Sequence, residues 1–149
     1  MLFGNGGSAS DAQHIAAEFV NRYTLDRPAI AAIALNTDSS VITSISNDSS
    51  FVHVYSRQIA ALGKRGDVAI GISTSGNSPN IVEGIKQAKQ LNMTTIGLLG
   101  KDGGKLVRMV DNALIVPSTC TPRIQEVHIM IGHILCELVE EELFGTPQK

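Results

Sequence analysis

The 149-residue chain contains no tryptophan, and aromatic residues make up only 4% of it. Stacking platforms for single-stranded nucleic acid are built from such rings, so this mode of binding is disfavoured. Charged residues are also scarce, at 17%, and the net charge is −2. That leaves no basic footprint for DNA or RNA, and no nucleic-acid partner is expected. No apolar run approaches the roughly 18 residues of a membrane span, so no membrane partner is expected either. The two cysteines, Cys120 and Cys136, are too few for a disulfide scaffold and fit a reducing cytoplasm. A charged fraction below the roughly 25% of ordinary soluble domains points to a partly covered exterior, most simply by self-association.

What is present is a single domain's worth of apolar sequence, 43% hydrophobic, in a pattern of short runs and helical stretches. The runs 31–35, 68–72, 94–99 and 113–116 are nearly continuous in apolar character, as parallel strands buried on both faces are. Helical spacing covers Ser10 to Tyr23, about Ser39 to Leu62, Pro79 to Leu91, and Arg123 to Phe144. Asn77-Ser78 before Pro79 reads as a helix start, and Gly63 and Asn92 stand where C-terminal caps belong. The alternation predicts a doubly wound α/β sandwich with a parallel sheet of about five strands. The last helix is apolar on most sides, which predicts burial in the core or in a subunit interface. Its tail, Glu140-Glu141-Glu142, reads as a solvated end.

Ligands on such sheets bind at the carboxyl ends of strands. Two loops stand there. Gly4-Asn5-Gly6-Gly7-Ser8-Ala9 formally matches the dinucleotide fingerprint G-x-G-x-x-A. The acidic residue expected about 20 positions on is represented only by Asp38, which comes late, so an oxidoreductase is disfavoured. The second loop, Ser73-Thr74-Ser75-Gly76-Asn77-Ser78, sets four hydroxyls and a glycine before a helix. Backbone N–H groups, the helix dipole and hydroxyls together make an anion site. Without the lysine of a P-loop, a monophosphate such as a sugar phosphate fits better than a nucleoside triphosphate. A plain polar cap is the alternative. Asn47-Asp48 is a third polar pair, by itself compatible with a simple helix break.

His14 and Glu18 share one helix face, a spacing that serves a metal ion, an acid–base pair, or a plain surface pair. Arg22 stands one turn further on the same face, where it can meet a phosphate or Glu18. The last helix offers Gln125, Glu126, His128 and His133, and periodicity does not choose between the two histidines. His53 has no evident partner.

Taken in order, Gly4-Asn5-Gly6-Gly7-Ser8, His14-x-x-x-Glu18 with Arg22, Asn47-Asp48, Gly71 to Ser78, Gly100-Lys101-Asp102-Gly103-Gly104, and Arg123-Ile124-Gln125-Glu126-x-His128 with His133 resemble the sugar isomerase (SIS) family, and within it the phosphoheptose isomerases. The resemblance covers essentially the whole chain. It implies a flavodoxin-like, Rossmann-like three-layer sandwich and a homotetramer. It also implies conversion of sedoheptulose 7-phosphate to D-glycero-D-manno-heptose 7-phosphate through an enediol, a step that supplies heptose for lipopolysaccharide. Carried over residue by residue, Glu18 and His133 become the acid–base pair. Asn5, Gly6, Gly7, Ser8, Arg22, Asn47, Asp48, Ser73, Thr74, Ser75, Ser78 and Gln125 become substrate contacts. His14, Glu18, Gln125 and His133 become ligands of one zinc ion, and no nucleotide cofactor is implied. The family thus selects His133 over His128. Thr121-Pro122 stands where some relatives carry an acidic residue. Non-catalytic relatives that associate with a replication initiator look similar but lack residues matching Glu18 and His133, both of which stand here. Residues 1–149 read as one SIS domain, and Met1-Leu2-Phe3 as the end of a central strand whose helical N-terminal neighbours are expected to precede it.

Overall fold

Val, Ile, Leu and Ala dominate the strand sequences, and such side chains bury on both faces of a parallel sheet. The computed structural model describes residues 1–145. In chain order they form β1 (Leu2–Gly4), α1 (Gly7–Val20), α2 (Ser39–Asp48), a 3₁₀ turn (Phe51–His53), α3 (Val54–Leu62), β2 (Val68–Ser73), α4 (Pro79–Gln90), β3 (Thr94–Gly100), a second 3₁₀ turn (Leu106–Arg108), β4 (Asn112–Val116) and α5 (Thr121–Phe144). The four strands are parallel, in the order β1-β2-β3-β4.

The expected strand at 31–35 is reduced to one parallel bridge between Leu2 and Ala34. Leu2 N–H donates to Ile33 O at 2.8 Å and Leu35 N–H donates to Leu2 O at 2.9 Å. The segment nevertheless lies on the side of β1 opposite β2. The chain therefore leaves β1 one way through α1 and returns the other way through α2 and α3. This reversal is a topological switch point at the carboxyl end of β1, where the Gly4–Ser8 loop stands.

Strand alternation divides the core. Phe3, Ala69 and Leu99 meet Val54, Ile59, Ile81 and Ile85 of α3 and α4 on one face. Leu2, Ile70, Ile72 and Leu98 meet Ala12, Ile15 and Ala16 of α1 and Cys136 of α5 on the other. Full burial of each large side chain contributes roughly 1.5–3 kcal/mol. The edge strand β4 departs from the expectation of two buried faces: only Val116 is buried, and Leu114 and Ile115 are exposed.

Local signals account for the helix ends. Ser78 and Pro79 start α4. At its end Asn92 adopts φ 57°, Met93 N–H bonds Ala88 O at 3.1 Å and Asn92 N–H bonds Lys89 O at 3.0 Å, the Schellman arrangement. The single helix expected over 39–62 is broken at Ser49-Ser50, where the Ser50 hydroxyl accepts from Val52 N–H at 3.2 Å and restarts the chain as a 3₁₀ turn. Helix α1 begins at Gly7 and ends at Val20, three residues earlier at each end than the spacing predicts.

Candidate functional site

Helices α1 and α5 lie against the same sheet face and cross where Gly132 meets Ile15. A Cβ on Gly132 would stand 2.5 Å from Ile15 Cδ1. The absent side chain is what lets the two backbones approach. Each helix carries a histidine one residue away from this contact, and the crossing joins them. His14 Nε2 and His133 Nε2 are 3.3 Å apart, with the rings edge-on at 5.0 Å. His14 Nε2 is also 3.3 Å from Glu18 Oε1. Tyr23 stacks on the other side of His133, with centroids 5.5 Å apart and an interplanar angle of 28°. Gln125, two turns earlier on α5, lies over the bare Cα of Gly7, where any Cβ would strike its amide.

These contacts bring His14, Glu18, Gln125 and His133 to one helix–helix seam beside the β1 loop. They also choose between the two histidines that periodicity left open. His128 is fully buried and its Nε2 bonds Leu99 O at 2.9 Å, so it is a core residue. Burial lowers its pKa, against the raising effects of the Leu99 carbonyl and Asp11. Its Nδ1 and the buried Oδ2 of Asp11 make no hydrogen bond among the described residues. Burial raises the Asp11 pKa, opposed by His128 and His14.

The donor set suits zinc in type: two imidazoles, a carboxylate and an amide oxygen. Donors around a tetrahedral zinc at about 2.0–2.1 Å stand about 3.3 Å apart, the separation of His14 from each of its two neighbours. Moreover, the single position at His14 Nε2 cannot satisfy both neighbours with one proton, whereas a shared cation draws on all three lone pairs. Among the described residues, however, no three His, Cys, Asp or Glu side chains converge closely enough to hold an ion as they stand. The pairwise geometry fits.

The two loops lie side by side. Asn5 Nδ2 donates to Asn80 Oδ1 at 2.9 Å, and Asn80 Nδ2 returns a bond to Asn5 Oδ1 at 2.8 Å. Asn80 is buried, and its Oδ1 also accepts from Ile81 N–H at 3.0 Å. Tyr55 hydroxyl donates to the Gly4 carbonyl, and burial pushes that phenol up to about 12, so it stays a donor. Gly6 is exposed at φ 56°, a conformation glycine adopts without cost, and Ser8 is buried beneath Gly4. In the second loop Ser73 Oγ and Ser78 Oγ are 3.1 Å apart. Ser78 therefore spends its hydroxyl across the loop and does not itself cap α4, whose first turn has only the Asn80 Oδ1 bond to Ile81 N–H. Thr74 and Ser75 are half-buried. Ser75 Oγ accepts from Asn77 N–H at 3.2 Å, while Asn77 Oδ1 accepts from Lys105 N–H at 3.0 Å and ties the loop to the Gly103-Gly104 turn.

Three expected site residues stand apart. Arg22 lies beyond the end of α1, exposed and without an ion pair among the described residues, so it does not continue the His14–Glu18 face. Asn47 and Asp48 close α2 on the opposite side of the sheet, where Asn47 Nδ2 donates to Asp48 Oδ1 at 2.8 Å. Asp48 lines a shallow hollow with His53 and Arg57. An open, mainly apolar groove of about 610 Å³ between Ile33, Val41 and Leu62 also lies away from the seam.

Glu140 corrects the reading of the helix tail as solvated. It is 1% exposed and accepts hydrogen bonds from the Tyr23–Leu25 backbone and from Arg27. Burial pushes its carboxyl up, but the bonds from Leu25, Tyr23, Thr24 and Arg27 outweigh that and hold it at about 2. Sequence reasoning also missed Asn80, although its stripe with Gly84 and Ala88 marked a polar residue on a buried helix face. No described helix is long and apolar enough to cross a membrane, and both cysteines are free, Cys120 exposed and Cys136 buried.

Residues 1–100 match the sequence profile of the SIS domain. Over 145 residues the chain is 61% identical to a phosphoheptose isomerase of Clostridium acetobutylicum, covering 97% of this chain and 74% of that protein. It is 58% identical over 145 residues to phosphoheptose isomerase 2 of Campylobacter jejuni, covering 97% and 72%. The solved phosphoheptose isomerase of Neisseria gonorrhoeae superposes with a TM-score of 0.88 at 49% identity, covering 94% of this chain and 75% of the other. The one from Francisella tularensis gives 0.90 at 39% identity with the same coverage. Sequence profile, close relatives and solved structures agree: the chain belongs to the SIS domain family.

Proposed function

We infer that the chain is a phosphoheptose isomerase, an aldose–ketose isomerase acting on a seven-carbon sugar phosphate. The observation that carries this is the identity of 61% over nearly the whole chain to a protein of that name. The substrate pair is sedoheptulose 7-phosphate and D-glycero-D-manno-heptose 7-phosphate, and the product serves heptose synthesis for lipopolysaccharide in the cytoplasm.

The Ser73–Ser78 loop anchors the phosphate through its hydroxyls and the N-terminus of α4. Asn5, Gly6, Gly7 and Gln125 line the sugar, so binding energy from the phosphate orients the reacting carbons at the α1–α5 seam. Glu18 removes the proton from the carbon next to the carbonyl. The C–H electron pair becomes the C=C bond of the enediol as His133 protonates the carbonyl oxygen. Reversal of these roles on the neighbouring carbon and oxygen completes the exchange, with no net gain or loss of electrons. Histidine suits the oxygen transfers because imidazole takes up and releases protons near neutrality. His14, Glu18, Gln125 and His133 would hold a zinc ion, which when bound polarises the carbonyl and stabilises negative charge on oxygen.

Assembly into a homotetramer accounts for the exposed apolar stripe Met130, Ile134 and Leu138 on α5. The test of the reading is isomerisation of sedoheptulose 7-phosphate by the chain and by Glu18→Gln, with and without chelator. Loss of about 10²–10⁴-fold in the variant is expected. Full activity in Glu18→Gln would remove the assignment.

A further inference from the structure

The acid–base reading uses neither Glu140, Arg27 nor Tyr23, yet these three form the most heavily bonded polar cluster among the described residues. Glu140 Oε1 accepts from Tyr23 N–H at 2.6 Å and from Arg27 Nε at 2.8 Å. Its Oε2 accepts from Thr24 N–H at 2.9 Å, Leu25 N–H at 3.0 Å and the Thr24 hydroxyl at 3.2 Å. Both side chains of the Arg27–Glu140 pair are 1% exposed.

The remaining arms of Arg27 reach α1. Nη2 donates to Glu18 O at 2.9 Å and Nη1 to Phe19 O at 2.8 Å. These carbonyls belong to the last turn of the helix, where acceptors lack intrahelical partners and a cation is favoured. Glu140 lies seven residues beyond His133, on the same stripe of α5. Contacts therefore run from the backbone of Glu18 to Arg27, to Glu140, to the backbone of Tyr23, and through the Tyr23 ring to His133, and His14 closes the circuit between His133 and Glu18.

A buried ion pair is weak support for stability, since well-packed apolar side chains often do as well. What this one supplies is geometry. It ties the helix of one proposed proton carrier to the helix of the other, and places a flat ring against the imidazole. We propose that Glu140, Arg27 and Tyr23 are positioning residues that fix His133 relative to Glu18 for proton transfer. The proposal rests on the reading of Glu18 and His133 as the acid–base pair.

Tyr23 gives the cleanest test, because Glu140 holds its backbone N–H and the side chain can change without breaking the clamp. Its hydroxyl makes no hydrogen bond among the described residues, so Tyr23→Phe keeps the ring and every contact, while Tyr23→Leu removes the stacked face. Steady-state kinetics of the full chain with sedoheptulose 7-phosphate should show kcat falling about 10- to 100-fold in Tyr23→Leu. KM should stay within about twofold, because the phosphate anchor is untouched. Tyr23→Phe should restore kcat to within about twofold of the wild type. Arg27→Lys, which keeps the charge but loses the planar fork, should lower kcat about tenfold with KM unchanged. A wild-type kcat in Tyr23→Leu, an equal loss in Tyr23→Phe, or a loss confined to KM would overturn the proposal. Glu18→Gln measured alongside separates the two levels. If that variant is inactive while Tyr23→Leu is wild-type, the positioning role falls and the isomerase reading stands. If Glu18→Gln is fully active, the reading itself falls.

Discussion

Replacing Gly132 by alanine tests whether the close α1–α5 crossing is what assembles the site. The new Cβ would stand 2.5 Å from Ile15 Cδ1 and 2.6 Å from Ile15 Cγ1. Ordinary carbon–carbon contact is about 3.5–4.0 Å, so roughly 1 Å must be recovered. Ile15 is fully buried among Leu2, Ala12 and Ile72, and a β-branched side chain in a helix has one strongly preferred χ1. The ring of contacts around it leaves separation of the helices as the main relief. Overpacking of this kind costs about 1–3 kcal/mol, offset by about 1 kcal/mol from replacing glycine in a helix. A net destabilisation of about 0–2 kcal/mol is expected by urea denaturation, with a larger effect on turnover, because His14 and His133 flank the contact. The diagnostic is a double-mutant cycle with Ile15→Ala, which deletes both clashing atoms. In that background Gly132→Ala should instead stabilise, by about 1 kcal/mol. If Gly132→Ala has the same effect in both backgrounds, or leaves turnover unchanged in the wild type, the crossing does not set the site.

Thr74→Ala combined with Ser75→Ala should raise KM for the sugar phosphate at least tenfold while the fold is retained by circular dichroism. A dephosphorylated sugar binding the wild type equally well would contradict the anchor. Asn80→Ala leaves Asn5 and Ile81 N–H without their partner and should cost about 1–3 kcal/mol in denaturant unfolding and raise KM, because it frees the Gly4–Ser8 loop. Stability should also be lost in acid. Glu140 is held at about 2 against an ordinary 4.5. Asp111 is held at about 2 against 3.8, chiefly by the Thr95 hydroxyl and Lys89. Both are depressed, so their contributions are complete above about pH 5 and fade as pH falls toward about 2. Unfolding free energy measured across that window should decline less steeply in Asp111→Asn than in the wild type. An identical slope would remove Asp111 from the account.

Much of this was legible in the sequence because it is local. Continuous apolar runs marked β2 and β3, Ser78-Pro79 marked the start of α4, and Asn92 marked its end. The assignment of His133 to the proposed acid–base pair came only through family resemblance, since periodicity alone could not separate His128 from His133. That choice depends on which face of α5 meets Leu99, a contact 29 residues away in sequence. Glu140 was misread for the same reason. Three consecutive glutamates look solvated unless the partner is known, and Arg27 is 113 residues away. Arg22 was misplaced by a three-residue shift in α1: Gly6 at φ 56° starts the helix at once, so its last turn is spent by Val20. The segment 31–35 has strand composition, but its pairing with β1 is a single bridge between Ala34 and Leu2.

The Ser73–Ser78 hydroxyl pair has a thermodynamic corollary. Ser78 turns away from the helix it begins, so that apart from Ile81 N–H, which Asn80 Oδ1 accepts, the donors of that first turn have no side-chain acceptor among the described residues. If the proposed phosphate binds there, ligand and helix cap are the same object. Phosphate should raise the melting temperature in proportion to ln(1 + [L]/Kd), and a sugar lacking phosphate should not. On the proposed anchoring of phosphate at this loop, product release would reopen the end of α4, and part of the affinity gained on binding would be spent in each cycle on completing the helix.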